Sequence, residues 1–344
     1  MQHNTELHLI VPGICGPLAE TQSLSSSPVI RQWIKTLSKA SSMPSARSTN
    51  EVLAEIFDLE INGDFPSAAL TLLANNHYDA DRFYMHADPV HLQADMDHAV
   101  LTSSADLEIS NEEAAELCEA LNRHFEQDGL EFFALNKDRW FVSSKNRISM
   151  RTTSLVDATC RNVNFILPKG EDASRWKQVM TESQMLLHSH TVNQARENAG
   201  LASINSLWFH GSGELIKLKH TAEQICSNDD MLKGIAGVIE CGYRKQPDTV
   251  NEYADYLLSC KAGSNNVLHI STLEHLVNYT DVSLWLAQMS DLLHDWIYPL
   301  LAICRKNNIK LELYPCNGKR YQFSKYDFFK FWRNDKLDKH VHSY

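Results

Sequence analysis

The chain has no CxxC pair. Its eight cysteines stand singly at Cys15, Cys118, Cys160, Cys226, Cys241, Cys260, Cys304 and Cys316, without the paired spacing of a zinc finger or a thioredoxin-type redox motif. Reduced, packed thiols are the expectation. Basic charge is also short: 32 Lys and Arg face 43 Asp and Glu, for a net charge of −11. No broad basic surface is therefore available for a phosphate backbone, and nucleic acid is not an expected partner. Long apolar runs are missing as well. The first, Leu7 to Val11, is far too short to span a bilayer, and no basic stretch followed by an apolar core marks a signal peptide. A cytoplasmic protein without a membrane partner is expected, and no internal repeat points to a solenoid.

What is present fits an ordinary globular α/β protein. A chain of 344 residues can bury a sizeable core and holds about two domains by the usual length prior. Glu6 to Val11 reads as a first buried strand ending at Pro12-Gly13, and its loop, PGICGP, carries no carboxylate, hydroxyl or histidine. Val29 to Leu37 reads as a helix, the serine-rich Lys39 to Asn50 as a mobile loop, and Glu51 to Leu59 as another helix. Asn62-Gly63-Asp64 supplies a turn, Pro66 suits an early helical position, and Ser67 falls at the amino end of a helix over Ala68 to Ala74. Ser67 is thus either a cap or a hydroxyl facing an anion site. His86-Ala87-Asp88-Pro89-Val90-His91 reads as a charged turn or site before a short strand.

Near Ser103 the composition changes. Ser110 and Glu113 have capping-box spacing, and the helix they open should run to about Phe125. Leu130 to Phe133 and Trp140 to Ser143 then read as a hairpin. This pattern predicts a small α+β domain over 103–197 inserted into a core formed by 1–102 and 198–335, with 336–344 a charged tail. Beyond it, 222–236 reads as irregular, Gly237 to Cys241 as a short strand, Val250 to Cys260 as a helix and Asn266 to Ile270 as a buried strand. Ser283 to Arg305 reads as one long helix kinked by Pro299, and Ile309 to Leu313 as a last core strand.

The densest stretch is QMLLHSHTVNQARENAGLASINSLWFHGSG, Gln184 to Gly213. Met185, Leu186, Val192 and Ala195 recur at helical spacing, with Gly200 as the stop. Ile204 to Phe209 reads as a strand, with Trp208 and Phe209 as core or pocket wall. Gly211 and Gly213 either form a tight turn or present backbone N–H groups to an anion. His188 and His190 could share a metal only if the helix has ended between them, because residues two apart on a helix face apart.

With these segments placed, the chain resembles the archaeal-type cofactor-independent phosphoglycerate mutases, and more closely a shortened proteobacterial branch of RpfE-type regulatory proteins. His190, Asn193, Arg196, Gly200, Asn205, Trp208, Gly211 and Gly213 resemble that family's HPVN, R, G, N, W and WGxG pattern. ISNEEAAELCEALNRHFEQDGLEFF is similar to a segment of its inserted domain. The resemblance implies an α/β fold with an alkaline-phosphatase-like core sheet flanked by helices, and the inserted domain. It also implies two divalent metals, Mn or Mg, held by aspartates and histidines, with a hydroxyl nucleophile.

The matching positions depart from that equipment. Pro12 stands where the family's first aspartate holds metal. FPSAALTLLA resembles the nucleophile segment and keeps Ser67, but Ala68 replaces the following carboxylate. Glu274 and Asn278 fall at the aspartate and histidine of the DEAGH motif, with Asp281 as a downstream acid. LYPCNGKR puts Pro315, Cys316, Asn317 and Gly318 where Asp-His belongs. Arg139 falls at a substrate-facing arginine, and Asp138 replaces its tyrosine partner. Arg139, Gly211 and Gly213 are therefore anion-binding candidates, and Ser67 is the candidate nucleophile. Pro12, Glu274, Asn278 and Cys316 are vestigial metal positions. The expectation is a catalytically degenerate, regulatory or ligand-sensing relative with no metal cofactor. Its partner would be a phosphorylated small molecule or an unidentified protein. The alternative is an active mutase or a Ser67-dependent phosphotransferase.

Overall fold

The computed structural model describes residues 5–16, 27–59, 61, 63–95, 98–159, 162–215, 222–278, 282–325 and 327. Cys160, Asp281 and the tail at 336–344 lie outside them. In chain order the strands are β1 Glu6–Ile10, β2 Ser41–Pro44, β3 Phe83–Asp95, β4 His98–Thr102, β5 Leu130–Asn136, β6 Arg139–Ser144, β7 Met150–Arg151, β8 Lys169–Gly170, β9 Ser206–His210, β10 Gln224–Cys226, β11 Gly242–Arg244, β12 Asn265–His269, β13 Lys310–Tyr314 and β14 Lys319–Phe323. The α/β class expected from the sequence holds. The chain forms two compact units, Met1–Glu60 with Lys217–Tyr344, and Ile61–Ile216.

The first unit is built on a seven-stranded sheet in the order β11-β10-β12-β1-β13-β14-β2. The five strands from β11 to β13 are parallel, and β14 pairs antiparallel with both β13 and β2. Parallel strands need crossover helices, which cover the sheet and bury its apolar side chains. In the helix Pro28–Leu37, Ile30, Trp33, Ile34 and Leu37 recur at i, i+3, i+4 and i+7 and are buried. They join Leu7, Leu9, Leu268 and Leu311 of the strands in one core.

Three expectations fail in this unit. The stretch taken for a mobile loop contains β2, an edge strand where Pro44 is tolerated because one side of the strand needs no donor. Residues 222–236 are not irregular, since they hold β10 and most of the helix Asp230–Val238, whose cap is the Asp229 side chain accepting from the Met231 N–H. Gly237 to Cys241 is consequently helix end and turn, and the strand begins at Gly242. Glycines inside a short apolar helix hid it. The predicted long helix is two, Val282–Leu292 and Tyr298–Lys306, joined by a π-helical turn at Leu293–Ile297. Pro299 has no N–H for the preceding turn, and the wider turn absorbs that loss.

In the second unit, β4, β3, β6 and β5 form a sheet in that order, and β9 also pairs with β3. The sequence reads at His86–His91 as a charged turn or a site before a short strand, and β3 runs through it. Its successive thirds pair with β6 (83–86), β9 (86–90) and β4 (91–95), so partners on every segment outweigh the turn-forming Asp-Pro. Because β3 and β9 belong to this sheet, the unit reaches beyond 103–197 on both sides. The capping box forms as expected, with the Glu113 N–H on Ser110 Oγ (3.1 Å) and the Ser110 N–H on Glu113 Oε2 (2.8 Å). The helix it opens, Asn111–Phe125, buries Ala114, Leu117, Cys118, Leu121 and Phe125 against a core containing Trp140, Trp176 and Trp208. No helix among the described residues is long and apolar enough to cross a membrane.

Candidate functional site

The stretch that carries the resemblance is largely scaffold. The predicted single helix there is two, Ala173–His188 and Thr191–Asn198. The break falls between His188 and His190, but His190 Nδ1 accepts from the Val192 N–H (3.2 Å) and caps the second helix. Asn193 donates from Nδ2 to the Leu187 and Ile204 carbonyls (both 2.8 Å) and accepts the Ile204 N–H (2.7 Å), tying helix to strand entry. The buried Arg196 guanidinium pairs with Glu113 (2.9 Å) and donates to the Ala202 carbonyl (2.8 Å) and to that of Leu107. Asn205 grips both backbone groups of Leu92, at 2.7 and 2.9 Å. Trp208 and Phe209 are core, and the Trp208 indole N–H donates to the Thr153 carbonyl (2.8 Å).

The glycine loop after β9 already faces a carboxylate. The Gly211 N–H donates to Thr152 Oγ1 (3.0 Å), the Thr152 hydroxyl donates to Asp64, and the Ser212 N–H donates to Asp64 Oδ2 (3.2 Å). Asp64 thus occupies the position from which an external anion would meet these donors. A side chain at Gly213 would start 2.1 Å from the Asp64 carbonyl, so the close approach requires glycine there. The adjoining cleft, of about 150 Å³, is lined by Asp64, Glu214 and Arg147 among others. Arg147 is paired with Glu214, so the cleft holds no excess of positive charge.

Ser67 is the first residue of the helix Ser67–Ala74, and Pro66 takes the cap position. The expected hydroxyl cap is not made: Ser67 Oγ is buried with no hydrogen-bond partner. Gly211 (φ 71°) lies against it, and a β-carbon there would stand 2.0 Å from Ser67 Oγ and 3.2 Å from His86 Cδ2. Next to this point is a buried group the sequence only partly indicated. His210 Nε2 is 2.9 Å from Asp88 Oδ2, and the Trp140 N–H donates to Asp88 Oδ1 (3.1 Å). His86 stacks on His210 with ring centroids 4.4 Å apart and planes 9° from parallel. Burial, then the nearby charges of His210 and Arg139, hold the His86 imidazole well below its ordinary range, and a hydrogen bond with the Ser67 backbone acts the other way. Arg139, half-buried at the start of β6, therefore reaches this group electrostatically. His210 escaped the sequence reading because it sits in an apolar strand where only the sheet register reveals its neighbours.

In the first unit Pro12 and Cys316 follow the carboxyl ends of the adjacent strands β1 and β13, and Glu274 lies in the segment after β12, at the usual ligand edge of an α/β sheet. Beside Pro12, the Gly13 N–H donates to the Pro315 carbonyl (3.4 Å), and the Leu273 carbonyl lies 2.7 Å from where a Gly13 side chain would begin. Thr49 joins the other two: its hydroxyl donates to Glu274 Oε1 (2.5 Å) and lies 3.8 Å from Cys316 Sγ. Cys316 itself has φ 58°. Asn278 ends the short helical turn His275–Asn278. His269, at the end of β12, pairs through Nδ1 with Ser227 Oγ (3.0 Å) and is fully buried. Elsewhere burial pushes the Cys118, Cys226 and Cys304 thiols up to about 12, so they stay protonated at neutral pH.

Residues 74–193 match the family described as 2,3-bisphosphoglycerate-independent phosphoglycerate mutase. A Methanosarcina mazei protein of that name is 26% identical over 147 residues, covering 40% of this chain and 37% of its own length. A probable enzyme of the same name from Geobacter sulfurreducens is 24% identical over 191 residues, covering 48% of each chain. The chain is a relative of these mutases. Each alignment takes in less than half of the relative's length. The solved structure of the PH0037 protein from Pyrococcus horikoshii shares the fold, with a TM-score of 0.52 at 10% identity over 94% of this chain and 88% of that one.

The matched span of this mutase relative lies wholly within its second unit. It holds the capping box, the hairpin, His86, Asp88, Arg139 and Asn193, and it stops short of Ser67, His210, Pro12, Glu274 and Cys316. The family match therefore covers scaffold together with His86, Asp88 and Arg139, and leaves Ser67, His210, Pro12, Glu274 and Cys316 to be judged on their own geometry.

Proposed function

We propose that this chain is a catalytically degenerate member of the mutase lineage that keeps the fold for a regulatory or ligand-sensing role without a two-metal centre. The observation that carries this reading is the pairing of Thr49 with Glu274 beside Cys316. At the strand ends where two divalent cations would need several carboxylates and imidazoles, proline offers no donor. The one carboxylate named there accepts a hydroxyl, and a thiol stands at the place of an acid. Among the described residues, no group of three metal-ligating side chains gathers at those strand ends. The donor set does not fit the family's metals, and phosphoryl transfer without them has nothing to neutralise the developing charge.

Protein reconstituted with Mn²⁺ and assayed for interconversion of 2- and 3-phosphoglycerate is expected to show no turnover. Turnover abolished by Ser67→Ala would overturn the proposal. It would favour the second reading, an enzyme using Ser67, for which the unpartnered hydroxyl at a helix amino end speaks. For the ligand-sensing role, the candidate is a small phosphorylated or carboxylated molecule drawn by Arg139. Saturable binding of 3-phosphoglycerate that weakens in Arg139→Gln is the expected sign.

A further inference from the structure

We propose that His86, Asp88 and His210 form a binding site for one divalent transition-metal ion in the second unit, distinct from every position at which the mutase resemblance places a metal. Three potential ligand atoms, one from each side chain, lie within 4.8 Å of one another. All three residues are more than nine-tenths buried, with 7%, 5% and 8% of their surface exposed. Buried polar atoms are ordinarily paired, yet His86 Nδ1, His210 Nδ1 and the adjacent Ser67 Oγ have no hydrogen-bond partner.

The balance of lone pairs points to a cation. His86 Nδ1 has no hydrogen-bond partner, and in the tautomer protonated at the other ring nitrogen it carries a free lone pair. Its Nδ1 lies 3.9 Å from Asp88 Oδ2, and His210 Nε2 lies 2.9 Å from the same oxygen. Ligand atoms bound at about 2.0–2.1 Å around a tetrahedral ion stand roughly 3.4 Å apart, between the two observed separations. Asp88 is already oriented by the Trp140 N–H on its other oxygen, as a metal-binding carboxylate requires. Two imidazoles and a carboxylate suit Zn²⁺ or Co²⁺ better than Mg²⁺ or Ca²⁺, which prefer all-oxygen sites. Ser67 Oγ and the His86 ring both flank the point where a Gly211 side chain would begin.

The arrangement also states what must move. An imidazole lone pair lies in the ring plane, so two near-parallel stacked rings cannot aim at one ion. His210 is held by Asp88, and coordination therefore turns the His86 ring out of the stack.

The test uses the full chain, stripped of metal by a chelator and titrated with Co²⁺ and Zn²⁺. The expected result is one Co²⁺ bound with the strong visible bands of a four-coordinate site and no thiolate charge-transfer band. Asp88→Asn and His86→Gln should each weaken binding at least about tenfold while circular dichroism stays unchanged, whereas Cys316→Ser and His188→Gln should bind as the parent does. Should a variant not fold, the imidazole nitrogen resonances of the parent chain decide, because Zn²⁺ bound by His86 and His210 must shift those of two histidines. Absence of saturable binding, a thiolate band, equal affinity in folded Asp88→Asn and His86→Gln, or unmoved imidazole resonances would each overturn the proposal. None of these readouts depends on mutase activity.

Discussion

Two groups of polar residues in the second unit, all buried except the half-buried Asn205, treat their hydrogen bonds in opposite ways. Asn193, Arg196 and Asn205 spend theirs on backbone groups and one carboxylate, while Ser67, His86 and His210 each keep an atom with no partner. The first group resembles the mutase pattern and fixes a helix, a loop and a strand in place. The second departs from any saturated arrangement and costs stability for each unpaired atom. A lineage motif can thus be almost pure architecture, and the residues with chemistry left to do are better sought among unsatisfied buried atoms.

The sharpest break in this contrast would come at Arg196. Arg196→Met strands Glu113 and the Leu107 and Ala202 carbonyls, and loss of one partner from a buried pair costs about 3–5 kcal/mol. Urea unfolding should show it, and a loss below 1 kcal/mol would mean the arginine is not a structural latch. Asn193→Ala removes the side-chain end of three hydrogen bonds and leaves two carbonyls and one N–H buried without a partner, for a loss of about 2–3 kcal/mol by the same measurement.

A smaller effect is expected from acid. Burial lowers the pKa of His269 from its ordinary value, and Asp229 opposes this only in part. The folded state then binds its proton less readily than the unfolded chain. Its contribution is complete above the ordinary imidazole pKa of about 6.5 and is lost as pH falls below that toward the folded-state value. Denaturant midpoints of the parent chain should fall between pH 7.5 and 5.5, and His269→Gln should flatten the dependence; an equal slope in both would refute this assignment. The smallest effect, and the one of opposite sign, belongs to Ser67→Ala. Its hydroxyl has no partner to lose, so stability should stay within about 0.5 kcal/mol or rise slightly. A loss like that of Asn193→Ala would erase the distinction between the two groups.

The sequence was most legible where the signal is local. Ser110 and Glu113 announced their capping box because a helix start needs only residues three apart. The helix and hairpin that follow, and the core strands β1, β12 and β13, were readable from periodicity alone. β2, β10 and the helix Asp230–Val238 were not, because short polar or glycine-bearing segments are decided by their sheet neighbours and by a single capping aspartate.

By itself the sequence determined the α/β class, the kinship to the mutases and that Pro12 and Cys316 are neither carboxylate nor imidazole, since each is a matter of residue type and spacing. Only the tertiary structure decided that Thr49 pairs with Glu274, that Asp64 fills the glycine loop, and that His86, Asp88 and His210 meet. Thr49 and Glu274, Asp64 and Ser212, and Asp88 and His210 lie far apart in the chain, and tertiary contacts that composition and local propensity do not encode, the β3–β9 register among them for His210, are what bring their side chains together.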